Sequence, residues 1–197
     1  VVKHSGTSGS AWVAYAKHAI SDAETDYLIF DGSGGLVDDA SVWGDTAPTS
    51  SVIAINTNST INNGTNTMIG YAWRSVPGIC RVGSYVGNGN ANGPYIGLGF
   101  RPAFLMAKWV SGGGLSGEGW IIKDTTRKSF NENQLDGIYA NTTGVETTGT
   151  SHGVDFLVDG FRMKGTGGVN NQSNATYTFV AVADLTSGAE LCPIYGR

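Results

Sequence analysis

Tyr177-Thr178-Phe179-Val180-Ala181-Val182-Ala183 is the stretch on which the fold turns, because aromatic and β-branched residues crowd into it as they do in a strand. Working outward, apolar and β-branched runs of similar kind recur at 12–15, 27–30, 51–55, 67–73, 104–109, 119–123, 154–158 and 161–164. Asp31-Gly32, Asn63-Gly64, Asn88-Gly89, Asn92-Gly93 and Asp159-Gly160 separate such runs, and each dipeptide suits a turn that needs positive φ. Glycine and β-branched residues are spread so evenly that few helix-length windows lack a breaker. The pattern predicts an all-β chain folded as an antiparallel β-sandwich or jelly roll.

The chain also repeats itself. Val1-Val2-Lys3 followed by Gly9-Ser10-Ala11-Trp12-Val13 matches Met106-Ala107-Lys108 followed by Gly117-Glu118-Gly119-Trp120-Ile121. Further on, Ile61-Asn62-Asn63 and Asn66 match Val169-Asn170-Asn171 and Asn174, each ahead of a long strand. The expectation is a duplicated sandwich, with residues 1–82 as one β-sandwich repeat and 83–197 as the other, or the two fused into one domain. Residues 83–104 alternate glycine with aromatic and aliphatic residues, which predicts an extended hairpin crossing between the copies. Beginning at Val1 without a methionine, inside a copy, the sequence reads as a piece of something longer.

Composition narrows the function classes. Gly, Ser, Thr and Asn number 30, 17, 19 and 14 among 197 residues, while only 14% are charged. A net charge of −4 offers no basic footprint for nucleic acid or an anionic membrane surface, and no apolar run is long enough for a helical membrane span. Cys80 and Cys192 stand alone, two thiols without a disulfide framework or a second metal-type ligand, and read as buried free thiols rather than a bridge.

Chemistry-bearing motifs are scarce. The carboxylates Asp22, Glu24, Asp26, Asp38, Asp39, Asp155 and Asp159 read as loop and turn residues rather than as a glycosidase pair. His4, His18 and His152 show no metal-binding spacing, the 22–26 loop lacks the glycine and terminal glutamate of a calcium loop, and no G-x-S-x-G elbow occurs. No catalytic residue, metal or cofactor is expected, and the chain reads as no enzyme. Aromatics are the better candidates, because sugars stack on Trp and Tyr faces while Asn and Thr bond the hydroxyls. Trp43, Trp109 and Tyr139, with Asn141 beside the last, are the candidate ligand contacts, set against a packing or subunit role. Trp12 and Trp120 hold equivalent repeat positions inside strands and are expected in the core.

Gly83-Ser84-Tyr85, Gly87-Asn88-Gly89, Asn92-Gly93-Pro94 and Gly99-Phe100-Arg101-Pro102-Ala103-Phe104 carry a resemblance. So do Trp120-Ile121-Ile122-Lys123-Asp124 with Arg127, Asp155-Phe156-Leu157 with Gly160-Phe161-Arg162-Met163, and Trp43 with Thr46 to Ile53. Over roughly residues 1–184 the sequence resembles a family of structural proteins from marine tailed bacteriophages, with motifs of the form GSYxGNG, GPF, GFRPA and DFLxxGFK. The resemblance implies lectin-like β-sandwich modules in a tail or fibre component, and no catalytic set. Under it, the Asn-x-Ser/Thr triplets at Asn58, Asn63, Asn141, Asn171 and Asn174 read as Asn/Thr-rich surface loops. The functional expectation is therefore a virion protein on the particle surface, a tail-fibre or spike module attaching to host-surface carbohydrate by multivalent weak binding. Its partners would be other virion proteins and copies of itself, a trimer being one form. A capsid or tail decoration protein is the alternative, and a polysaccharide-degrading enzyme ranks third.

Overall fold

A computed structural model describes residues 1–6, 9–62, 64–127, 137–147 and 150–185; Cys192 and Asn63 lie outside these. The chain is all-β, built from antiparallel sheets packed face to face, with a single short 3-10 turn at Thr150–His152 among the described residues. In the first half, β1 (Val2–His4), β2 (Val13–Ala14), β3 (Asp26–Ile29), β4 (Val37–Asp38) and β5 (Met68–Gly70) form a sheet ordered β4-β3-β2-β1-β5. The second sheet uses β6 (Cys80–Val86), β8 (Pro102–Gly112), β9 (Ile121–Asp124), β10 (Ile138–Tyr139) and β13 (Ala175–Ala183), ordered β10-β9-β8-β13-β6. A third, of β7 (Tyr95–Gly97), β11 (Val154–Leu157) and β12 (Gly160–Met163), runs β11-β12-β7.

Strand pairing follows the repeat. Val2 opposes Val13 in β1–β2, and the matching Ala107 opposes Ile121 in β8–β9. Val13 then opposes Ile29 as Ile121 opposes Tyr139, and Lys3 opposes Ile69 as Lys108 opposes Thr178. Thus β3-β2-β1-β5 and β10-β9-β8-β13 are the same four-strand pattern used twice.

Three expectations need correction. Residues 83–104 form no hairpin across the copies: β6 pairs with β13 and β7 with β12, so the segment steps from one sheet to another within the second half. The division at 82/83 falls inside β6, whose Cys80 already pairs with Val182. Residues 51–55 form no strand, because the Thr49 hydroxyl accepts the backbone N–H groups of Ser51 and Val52 and turns the chain.

The largest core lies between the second and third sheets, where β13 turns Tyr177, Phe179 and Ala181 toward Phe156, Phe161 and Met163. Each phenylalanine buried there contributes about 2–3 kcal/mol of transfer free energy. Gly160 opens β12 without a side chain because a Cβ would strike the Ile96 carbonyl of β7. The first sheet has a core on each face. Val2 and Val13 meet Val42, Trp43 and Ile61 on one side, while Ala14, Ile20 and Leu28 meet Val110 of β8 on the other. The halves are therefore fused through shared packing, reinforced by Phe30 against Trp120 at 4.7 Å between ring centroids.

Lys108 crosses that junction. Its side chain is fully buried at 0% exposure, and Nζ donates to the carbonyls of Ser33 (2.8 Å) and Glu118 (2.5 Å). Burial pulls its pKa down to about 8, against the opposing pull of the Glu118 carboxylate, which burial in turn raises. In the unfolded chain Lys108 stays protonated to higher pH, so the folded state binds fewer protons between pH 8 and about 10.4 and stability rises through that window. The full gain is about 3 kcal/mol. Two tyrosines act oppositely above pH 10, since burial raises Tyr177 to about 12, and partial burial with the Glu24 carboxylate raises Tyr15 to about 12. Urea unfolding at pH 7.5 and 9.5 should show the rise in the wild type and its loss in Lys108→Met.

Candidate functional site

At the β5 end of the first sheet, aromatic rings come to the surface. The backbone N–H of Tyr71 donates to the Val1 carbonyl (2.8 Å), while the Val1 amino group donates to the Tyr71 carbonyl (2.8 Å), holding the chain beside β1 just past β5. Period-2 alternation then sends Ile69, Tyr71 and Trp73 to one face, with Gly70 and Ala72 between them. Tyr71 lies 5.7 Å from Trp12 and 6.2 Å from Trp73 between ring centroids, with interplanar angles of 36° and 30°. Val1, Trp12, Phe30, Tyr71 and Trp73 line a shallow groove of about 290 Å³. Tyr71 and Trp73 keep 54% and 55% of their surface in solvent. The Lys3 ammonium sits 5.3 Å from the Trp12 ring centroid, a cation on a π face at the groove's side.

The sequence candidates fall elsewhere. Trp43 is 1% exposed, edge-on to Tyr15, with its indole N–H donating to the Asp26 carbonyl at 3.0 Å; it has no face to offer a sugar. Trp109 is buried in the largest core and donates its N–H to the Gly112 carbonyl. Both therefore pack. Tyr139 and Asn141 do come together, flanking Gly119, where a Cβ would run into both side chains. Tyr139 is half-buried in β10, edge-on to His152, and the Asn141 side-chain oxygen accepts the Trp120 backbone N–H at 3.0 Å. Trp120 is in the core as expected, but Trp12 is half-buried and lines the groove.

The other candidates have structural partners. Asp39 accepts the Ser41 N–H and hydroxyl and the Asn58 amide, bonds that hold its carboxyl below the usual range. Glu24 accepts the Tyr15 hydroxyl. Asp26 pairs with Asp38 across β3–β4, and burial, then Asp38, then Asp22, raise its pKa. Asp159 sits at the β11–β12 turn, its carbonyl accepting the Leu98 and Gly99 N–H groups. Among the described residues, no three of His, Cys, Asp and Glu gather to hold a metal ion. Cys80 is half-buried rather than buried, its thiol donating to the Arg74 carbonyl. Of the glycosylation-type triplets, Asn171 is no surface residue at all.

A second, more polar groove of about 490 Å³ is lined by His18, Ser75, Arg81, Val82, Gly83, Ser84, Ile96 and Phe179. Its charged group is already engaged, because Arg81 donates to the Gly97 carbonyl at 2.6 Å. Ser84 donates its hydroxyl to the His18 carbonyl. Only the first groove leaves large rings uncovered.

A family profile described as Domain of unknown function (DUF7483) matches residues 1–185. The chain belongs to that family. The DUF7483 span takes in all three sheets and both grooves. No curated protein and no solved structure matches the chain.

The groove was missed in sequence because residues 67–73 read simply as another strand. The available signal was the spacing of Tyr71 and Trp73, two large rings where the repeat places Val180 and Val182.

Proposed function

We propose that this chain is an attachment module of a virion tail fibre or spike, holding host-surface carbohydrate in the Trp12–Tyr71–Trp73 groove. The observation that carries the reading is the pair of half-exposed rings, Tyr71 and Trp73, presented beside Trp12 in one shallow groove. Flat aromatic faces of this kind match the apolar faces of pyranose rings, and a shallow groove suits weak single contacts that gain strength in multiple copies. The likeness to marine-phage structural proteins supports the virion setting, with other virion proteins as neighbours and the particle surface as location. Binding without turnover is the reading, since neither groove is lined by a carboxylate.

A glycan array followed by calorimetry on the best binder tests it. Tyr71→Ala and Trp73→Ala are each expected to weaken binding about tenfold, equal to 1.4 kcal/mol, with the unfolding midpoint within a few degrees of wild type because both rings are already wet. Failure to bind any glycan, or equal binding by both variants, overturns the proposal. A second reading, a decoration protein touching only neighbouring subunits, draws on the exposed Val52, Ile53 and Ile55. It gains if those residues are buried in the assembled particle and no glycan binds.

A further inference from the structure

The polar groove beside β6 is cationic in a chain whose net charge is −4, and none of its lining residues is acidic. It follows the outer edge of β6, bordered by His18 from the β2–β3 loop, Ser75 ahead of β6 and Ile96 of β7. Val76 pairs with Cys80, the Ser75 hydroxyl bonds both backbone groups of Val82, and the His18 carbonyl accepts the Ser84 hydroxyl. The chain thus closes this edge with its own segments. What is left between them is a gap of about 490 Å³, a size usual for small-molecule sites.

Hydrogen-bond donors gather at this gap. Arg81 is exposed, and its 2.6 Å bond to the Gly97 carbonyl uses one of five guanidinium N–H groups, so it holds the fork between β6 and β7 without neutralising it. Among the described residues, no carboxylate pairs with Arg81. Ser84 supplies a second donor. Val82 turns its N–H away from β13 to Ser75, so Ser84, two residues on, turns its own N–H to the same edge, where no backbone group among the described residues accepts it. The exposed His18 imidazole adds at least one N–H. Between these groups Gly83 lies flat on the Phe179 ring, where a Cβ would come within 2.8 Å, so no side chain fills the middle of the gap. Ile96, half-buried, gives the gap an apolar side.

We propose that this groove is a second binding site, taking the carboxylate of an acidic sugar on Arg81 and the Ser84 N–H. A planar guanidinium fork matches a carboxylate in shape as well as charge. Ile96 then meets the apolar face of the sugar ring, and His18 reaches a ring hydroxyl. The site is separate from the aromatic groove and stands whether or not that groove binds carbohydrate.

Titration of the isotope-labelled chain with sodium glucuronate, followed by NMR, tests it; glucose, sodium acetate and sodium sulfate are the comparisons at equal ionic strength. The Ser84 amide and the Arg81 side-chain N–H signals are expected to move with glucuronate and to saturate at millimolar levels, and to stay in place with glucose. Arg81→Met should weaken binding by about tenfold or more. That variant also loses the Gly97 bond, so its unfolding midpoint is read alongside; His18→Ala leaves the bond in place and should weaken binding about threefold. Trp73→Ala should bind glucuronate as the wild type does. Glucose moving the same signals, or acetate or sulfate matching glucuronate in midpoint, overturns the proposal, the latter because it means contact with the ion alone. Unchanged binding in Arg81→Met or in His18→Ala overturns it too, as does loss of the shifts in Trp73→Ala, which would move the ligand to the aromatic groove.

Discussion

Asn171→Ala is expected to lower the unfolding free energy by about 3–5 kcal/mol, because its amide satisfies several backbone groups in a fully buried site. The side-chain oxygen accepts the Asn88 N–H at 3.0 Å. The two N–H groups of the side-chain nitrogen donate to the Asn90 carbonyl (2.9 Å) and the Gly165 carbonyl (2.7 Å), with the Asn88 side-chain oxygen as a longer, shared acceptor (3.3 Å). One residue thus ties the turn after β6 to the stretch after β12. Alanine would strand the Asn88 N–H and two carbonyls near the core at about 1–3 kcal/mol each, offset where water enters. Thermal unfolding should shift down by about 10 °C, on the usual scaling for a chain of this size. A shift under about 2 °C would mean that water replaces the amide at little cost, and the stapling argument would fail.

Trp43→Ala is expected to cost about 3–5 kcal/mol as well, by a different route. The indole fills the outer core of the first sheet with Val2, Val13, Val42 and Ile61, and its N–H satisfies the Asp26 carbonyl. Removal leaves a large apolar void and an unpaired carbonyl. Because this core lies on the face of the sheet opposite the groove, carbohydrate affinity of the protein that remains folded should match wild type. Chemical denaturation gives the first quantity and calorimetry on the folded fraction the second. A stable Trp43→Ala chain with lost binding would return Trp43 to the site and displace the Tyr71–Trp73 groove.

How much of this was legible beforehand depends on range. Strands showed in the sequence wherever the chain pairs over many residues, as at β8 and β13, since a long apolar stretch has few other fates. The repeat was visible through Trp12 and Trp120, and their strands hold matching registers. Burial was harder to read. Lys3 and Lys108 are the same repeat position, yet Lys3 lies on a half-exposed ring while Lys108 vanishes under the first sheet. Local sequence has no term for which copy is covered by the other. Trp43 misled for a related reason: its neighbours Gly44 and Ser41 signal a loop, and a loop can still point its largest side chain inward. The groove needed Trp12 and Tyr71 to meet across 59 positions of chain, a juxtaposition set by β1 pairing with both β2 and β5.

The position of β13 has a consequence for how the protein is made. It is the last strand described in chain order, but it lies between β8 and β6. As the polypeptide leaves the ribosome, β6 and β8 emerge with the seat between them empty, and their apolar faces stay open until residue 183 follows. The strands of the first sheet are all made by Gly70, so they can pair while the rest is still being synthesised, and only the face that packs on Val110 waits for β8. A chain cut short between β9 and β13 would thus hold its first sheet paired and leave its second without the central strand.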